Sequence, residues 1–173
     1  APCNTEIVQN GSFETPVITD PQGWDAFESG ANNIVWKANW INNAPEAGKP
    51  VVANLEFQNF LTAQNGDQFT ELDSDWDGIP SSHLDDASVK ISQYLATKIG
   101  YTYGVSYYTS PLPGTDSTQN KVQFSWAGNI VDTTSEDGTL NADNMWTAHS
   151  FNLVATSTTT RIDFADAGIS NTF

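Results

Sequence analysis

The feature that most constrains this chain is a strand-like alternation of apolar and polar residues, which recurs in short segments without any sustained helical period. Successive side chains of a strand point to opposite faces, so each segment is expected to bury every second residue. The expected inward residues are Tyr103, Val105 and Tyr107; Val122, Phe124 and Trp126; Phe151, Leu153 and Ala155; and Ile162 and Phe164.

Turn-forming clusters of Gly, Pro, Asn and Asp separate these segments. Ala127–Asn129 predicts a hairpin turn, and Ser110–Gly114 and Ser135–Gly138 predict further turns. Residues Asn42–Asn65 are the least periodic, and we interpret them as a long loop with a short helix. Many short strands without intervening helices predict an all-β fold, a two-sheet antiparallel β-sandwich that forms a single domain over residues 1–173.

The charge balance excludes two classes of partner. Six Lys and Arg residues stand against 21 Asp and Glu residues, which gives a net charge of -15. Nucleic acids and anionic membranes attract basic surfaces, so neither is expected as a direct partner. No apolar run is long enough to span a bilayer, so membrane insertion is not expected either.

The start of the chain bears on its compartment. It begins Ala-Pro-Cys without Met, which favours a mature protein that has lost a signal peptide. We therefore predict a secreted, extracellular location, at the cell surface or in the periplasm. Cys3 is the single cysteine and cannot form a bridge within this chain. It is either fortuitous, joined to a second chain, or paired with a cysteine outside this sequence.

The sharpest local motif is the acidic segment Asp73–Gly78, in which Asp73, Asp75 and Asp77 alternate with other residues before a glycine. Carboxylates at every second position can surround one Ca²⁺ ion, as in the first half of an EF-hand loop. Leu84 stands where an EF-hand needs its last acidic ligand, so a true EF-hand is not expected. The competing interpretation is a solvated acidic loop.

Motifs for catalysis are few. The sequence has no nucleophile elbow, zinc-protease helix, phosphate loop or dinucleotide fingerprint, and it has only two histidines. Two suitably spaced carboxylates would suffice for glycoside hydrolysis, and 21 acidic residues leave that alternative open. Such enzymes need a deeper cleft than a chain of this kind is expected to form, so we predict that the protein is not an enzyme.

The tryptophans suggest a ligand surface. Trp24, Trp36, Trp40 and Trp76 fall in turn-rich or irregular segments, and the other two fall in strand patterns at Trp126 and Trp146. An exposed aromatic ring beside polar groups can stack on the apolar face of a sugar. The alternative is that the loop tryptophans cap the ends of the sandwich.

Four blocks of sequence resemble a known family. They are Val8–Pro16, with its Asn-Gly-Ser-Phe-Glu core, Gly66–Ser74, Ile91–Tyr103 and Thr159–Gly168. Together they are similar to the galactose-binding-like jelly rolls of bacterial secreted and surface proteins and of plant cell-wall proteins, which are related to carbohydrate-binding modules. The blocks come in the family's order and cover most of the chain.

The resemblance implies a structural calcium ion. In similar modules it is held by a Glu of the Asn-Gly-x-Phe-Glu block, a nearby main-chain carbonyl and an Asp near the last strand. In this sequence that implies Glu14 and the carbonyl of Ser12. The family's closing strand, which carries the Asp, has no counterpart in this sequence, so Asp163 or Asp166 would have to substitute for it from a different place. Leu112 departs from the family, whose members often carry Arg at that place in the turn.

The leading functional prediction is a secreted, non-catalytic module that is stabilised by calcium and binds a polysaccharide or glycoconjugate. The alternation puts Tyr94, Tyr108, Lys121 and Gln123 on an outward side, where we expect them to bind the glycan together with Trp76. The alternatives are an adhesion or scaffolding domain that binds a protein partner and, third, a glycoside hydrolase.

Overall fold

A computed structural model describes residues 5–31, 33–41, 50–75 and 86–169, without the side chains of residues 74, 75, 86 and 87. The described residues form strands and connecting loops and contain no helix, so none of them forms a membrane-spanning helix. The strands are β1 (Trp24–Glu28), β2 (Lys37–Trp40), β3 (Asn54–Gln58), β4 (Phe69–Glu71), β5 (Asp73–Asp75), β6 (Asp86–Ala96), β7 (Thr102–Thr109), β8 (Val122–Trp126), β9 (Asn129–Thr133), β10 (Thr147–Val154) and β11 (Thr159–Asp166).

The strands pair antiparallel in three groups. The large sheet has six strands in the order β2-β6-β11-β8-β9, with β5 pairing with one end of β6. A three-stranded sheet has the order β1-β3-β4, and β10 pairs with β7 in a two-stranded sheet. The second layer is therefore built from two separate pieces.

Aromatic rings join both pieces to the large sheet. Tyr107 of β7 packs with its ring centre 5.1 Å from that of Phe124 and 4.9 Å from that of Phe164. On the three-stranded side, Phe57 contacts Phe13 at 5.7 Å, and Phe13 contacts Trp36 at 5.6 Å. Trp36 in turn meets Phe164. The predicted all-β antiparallel sandwich is confirmed.

The alternating segments fold as the sequence predicts. Along β7 the residues expected inward are half-buried and pack on the core, while Thr102, Gly104, Ser106 and Tyr108 are exposed. The hairpin between β8 and β9 is also confirmed. Its turn residues Ala127 and Gly128 have φ of 52° and 82°, the two positive angles that a tight two-residue hairpin requires.

The expectation of a long loop over Asn42–Asn65 is wrong for the residues described there, because they contain β3. Residues 42–49 lie outside the described part. Leu55 and Phe57 are completely buried and face the core. Glu56 and Gln58 on the other face of β3 are only 4% and 2% exposed. The sequence does alternate there, as Asn-Leu-Glu-Phe-Gln, but the alternation lasts only five residues inside an otherwise irregular segment and does not stand out from the surrounding loop.

The predicted assignment of the tryptophans to loops and strands is also partly wrong. Trp24 and Trp40 lie within strands, and Trp36 is a core residue with 2% exposure whose Nε1 donates to the carbonyl of Asn10 at 3.0 Å. Trp126 lies in β8 as predicted, but Trp146 precedes β10 rather than lying in it. Trp76 lies outside the described residues.

Candidate functional site

In the described part of the molecule, a cavity of about 770 Å³ is bordered by β4 and β7. β4 and β7 are edge strands of the two pieces of the second layer, and no hydrogen bonds pair them with each other. The N-terminal segment Glu6–Phe13 contributes to another wall, and the inner side of the large sheet supplies Ile91, Ile162 and Phe164. This volume is within the range of small-ligand sites.

The lining of the cavity combines aromatic rings with hydrogen-bonding groups. Phe69 and Trp146 meet edge to face with ring centres 5.8 Å apart, and the Trp146 Nε1 donates to the carbonyl of Thr62. Tyr108 borders the same space and is 47% exposed. The polar lining residues include Gln68, Glu71, Asn120, Glu136 and Asp166. Such a mixture can stack on an apolar ring face and exchange hydrogen bonds with hydroxyl groups.

One wall of the cavity is held in place by a polar network that includes Tyr107 and Thr109. The Tyr107 hydroxyl donates to Asp132 Oδ2 at 3.0 Å, and the ring stacks on His149 with centres 4.9 Å apart. His149 Nδ1 lies 3.5 Å from Asp132 Oδ2, and its Nε2 lies 2.7 Å from Thr109 Oγ1. Burial, together with the nearby Asp132 carboxylate, raises the pKa of Tyr107, so its hydroxyl remains a donor.

A second polar cluster lies beside β4, on the side of the three-stranded sheet away from the core. The Gln58 Nε2 donates to Glu56 Oε1 at 2.7 Å and also to Glu71 Oε2. Glu56 and Glu71 are direct cross-strand neighbours, so the amide bridges two carboxylates. Glu71 lines the cavity, while Glu56 is buried.

The end of β11 carries a partly buried carboxylate, Asp166. It accepts hydrogen bonds from the Ser88 hydroxyl and from the amide of Gly168, the latter at 2.8 Å. Burial raises its pKa, because these donors only partly replace the lost hydration. Ser12 and Asp73 also line the cavity, so three of the predicted calcium ligands border the same space.

The structure brings together only some of the residues predicted from sequence. The cavity lining includes Ser12, Asp73, Tyr108, Lys121 and Asp166. Tyr94 and Gln123 instead lie on the outward face of the large sheet, away from the core. Tyr108 belongs to the opposite layer, so the predicted single outward surface for these residues is not formed. Trp76 and Asp77 lie outside the described residues, and only the backbone of Asp75 is described.

Glu14 is bound by backbone amides. Its Oε1 accepts from the amides of Asp67 at 3.0 Å and Gln68 at 3.1 Å, which fixes the N-terminal segment against the loop before β4. Among the described residues, no three Asp, Glu, His or Cys side chains come close enough to form a metal site. Calcium binding at Glu14, at Asp166 and in the acidic segment stays a prediction.

Several residues at this site have little or no indication in the sequence. Phe69, Glu71 and Trp146 line the cavity because of where β4 and the segment before β10 meet. Glu71 and Phe69 share one face of β4 although one is charged and the other apolar, so the sequence Phe-Thr-Glu carries no alternation that would indicate a strand. A contact between residues this far apart in the chain has no local sequence signature.

Comparison with known proteins gives a likeness of structure but none of sequence family. No protein-family model matches the sequence, and a search of curated proteins finds no match. A solved structure described as "CBM4 structure and function" aligns over 95% of this chain and 90% of its own, with a TM-score of 0.39 and 14% sequence identity.

Proposed function

We propose that this chain is a non-catalytic glycan-binding module that holds a neutral sugar chain in the cavity between β4 and β7. The observation that carries this proposal is the lining of the cavity, where aromatic rings alternate with amide and carboxylate groups on rigid strands. Ligand sites generally combine a mostly apolar lining with a few placed polar groups.

The charges at the cavity favour a neutral ligand. Glu71, Glu136 and Asp166 all line it, and Lys121 is the only cation among its described lining residues. Carboxylates accept hydrogen bonds from sugar hydroxyls but repel a second carboxylate. Tyr108 is the accessible ring on which a sugar can stack, because it is exposed at the border of the cavity.

The test is affinity gel electrophoresis against neutral polysaccharides such as glucans, xylans, mannans and galactans, with calcium present. We expect at least one of them to retard the protein, and Tyr108→Ala to weaken that binding several-fold, up to about tenfold. The matched control is Tyr101→Ala, because Tyr101 is 60% exposed and precedes the opposite end of β7. The proposal fails if no neutral polysaccharide retards the protein, or if both variants lose binding equally.

Calcium stabilisation and secretion are parts of the same proposal. Their support is the resemblance of Val8–Pro16 to calcium-holding modules, together with the spacing of the acidic segment that begins at Asp73. A secreted module of this kind would meet polysaccharides at the cell surface or in the surrounding medium.

The competing function is glycoside hydrolysis. Of the two carboxylates that accept from the Gln58 amide, Glu71 lines the cavity and Glu56 is buried, so Glu71 is the member of this pair that a bound sugar can meet. Reducing-sugar release from a retained polysaccharide, abolished by Glu71→Gln, would establish this function. Retardation without any release of reducing ends supports the binding module.

A further inference from the structure

The outward face of the large sheet concentrates the few cations of this acidic chain. Three of the six Lys and Arg residues lie there: Lys37 on β2, Lys90 on β6 and Arg161 on β11. Their outward direction follows from their neighbours in sequence, because Ala38, Ile91 and Ile162 are buried in the core. Tyr94 and Gln123 are also at outward positions, and we call these five residues the basic face.

The lysines of the basic face have no carboxylate partner among the described residues. Ion pairs in the described part of the chain are limited to Arg161 with Asp163 and His149 with Asp132. Asp163 is 3% exposed, and it accepts from the Ser92 hydroxyl at 2.7 Å and from the Arg161 Nε at 2.9 Å. In a chain with 21 acidic residues, two lysines on one face without a partner leave a local positive potential.

The register gives the basic face a shallow centre. Lys90 and Gln123 both pair with Ala165, which lies between them on β11. Lys90 and Gln123 are therefore two strand spacings apart, about 10 Å, with only a methyl side chain between them. The next row has Ser92, Asp163 and Ser125 beside Lys37. Ser92 and Asp163 are buried and Arg161 bonds to Asp163, so the open part of the centre is at Ala165. Tyr94, 60% exposed, borders this depression.

We propose that the basic face binds an acidic polysaccharide with one carboxylate per sugar. Lys37 and Lys90 are diagonal neighbours on adjacent strands, about 7–8 Å apart. Single cations at this spacing match a chain of low charge density, whereas a heavily sulfated chain carries several charges per sugar. Tyr94 supplies a stacking surface and Gln123 a hydrogen-bonding amide beside the cations. This site is separate from the cavity and does not depend on the neutral glycan proposed there.

The net charge of -15 does not prevent this interaction. At about 0.1 M salt the screening length is roughly 10 Å, so carboxylates elsewhere on the surface act weakly on a ligand that contacts the lysines. The same screening weakens the contacts themselves as salt rises. Binding at the basic face is therefore expected to decrease with ionic strength, unlike stacking of a neutral sugar in the cavity.

The test is affinity gel electrophoresis at about 0.1 M ionic strength with polygalacturonate, a sulfated dextran and a neutral glucan in separate gels. We expect polygalacturonate to retard the protein, and Lys37→Gln/Lys90→Gln to weaken that retardation about tenfold, or roughly threefold per lysine. The matched control is Lys98→Glu. It changes the net charge by the same amount at an exposed lysine whose Nζ lies over the Tyr101 ring, outside the basic face.

The outcomes separate the two sites. Unchanged binding in Lys98→Glu and in Tyr108→Ala, with loss in the double lysine variant, supports the basic face. An equal loss in Lys98→Glu would show that net charge alone explains the effect, and it would overturn the proposal. The proposal is also overturned if polygalacturonate does not retard the protein, or if the sulfated dextran retains it more strongly. If no neutral polysaccharide retards the protein, the glycan site proposed at the cavity is overturned and the basic face is not. The two sites share no residue, because neither Lys37 nor Lys90 lines the cavity.

Discussion

Replacing Tyr107 with Phe tests whether one hydrogen bond holds the two layers together at the cavity. The variant keeps the ring that packs on Phe124 and Phe164, and it removes only the hydroxyl that donates to Asp132 at 3.0 Å. Tyr107 is on β7 in the two-stranded sheet, and Asp132 is on β9 in the large sheet. The bond therefore joins one layer to the other.

The size of the effect follows from the partner's charge and exposure. A hydrogen bond to a charged group contributes about 1.5–3 kcal/mol to the free energy of unfolding. The Asp132 side chain is 28% exposed, so water replaces part of the lost contact. We therefore expect Tyr107→Phe to cost about 1.5–2 kcal/mol, the lower part of that range. In a chain of this length, that lowers the melting temperature by about 4–6 °C.

The pH dependence gives this prediction a second readout. The pKa of Tyr107 is raised from its ordinary value of 10.0 in the folded protein. The unfolded chain then loses this proton first, so the contribution of Tyr107 is complete below about pH 10 and is lost as pH rises through the window up to the raised pKa. The difference in stability between the wild type and Tyr107→Phe should therefore narrow above pH 10.

Urea unfolding at neutral and alkaline pH measures both effects. Tyr101→Phe is the control, because its exposed hydroxyl should contribute less than about 0.5 kcal/mol. The reasoning is refuted if Tyr107→Phe costs no more than Tyr101→Phe at neutral pH, since the hydroxyl would then add nothing to the attachment between the layers.

The remaining predictions concern the contact of Gly66 with Glu14 and the partly buried carboxylate of Asp166. Gly66 has φ of 74°, and a methyl group there would collide with the Glu14 carboxylate. Gly66→Ala should therefore lower the free energy of unfolding more than Gly128→Ala, where space is open. In a Glu14→Ala background the two substitutions should cost the same in urea unfolding, because the collision is then removed. Because the pKa of Asp166 is raised in the folded protein, stability falls as pH rises from the ordinary value of 3.8 to the raised one. Asp166→Asn cannot ionise, so it should raise the melting temperature of chelator-treated protein at neutral pH but not at acid pH. If Asp166 binds calcium, Ca²⁺ should raise the melting temperature of the wild type more than that of Asp166→Asn; equal shifts would exclude it as a ligand.

The strands that the sequence predicts well are those with one face in solvent. In β7 and β10 each buried residue is followed by an exposed one, so the local pattern carries the whole signal. β3 was missed although Asn-Leu-Glu-Phe-Gln alternates, because the alternation lasts only five residues within a segment that is otherwise irregular. The burial of Glu56 and Gln58 on the face away from the core, where Gln58 donates to both Glu56 and Glu71, depends on residues distant in sequence and leaves no local signature.

The candidate site was predictable only in part, for a related reason. Tyr108 follows from the alternation of its own strand. The cavity beside it depends on whether β4 and β7 pair, and this is settled by the arrangement of the two pieces of the second layer. Tyr94 and Tyr108 have the same outward character in sequence, but they lie on opposite layers. Alternation identifies outward residues without identifying which surface they share.

Strand β11 connects the two proposed ligand surfaces. Ile162 and Phe164 line the cavity, and the residues between and beside them, Arg161 and Asp163, point to the basic face. Alternation along one rigid strand therefore supplies an apolar wall to one site and the ion pair of the other. The cavity carries carboxylates and the basic face carries lysines, so one uniform polymer cannot suit both surfaces equally. The charge distribution instead favours two classes of glycan, one neutral and one acidic, bound on opposite sides of the same sheet.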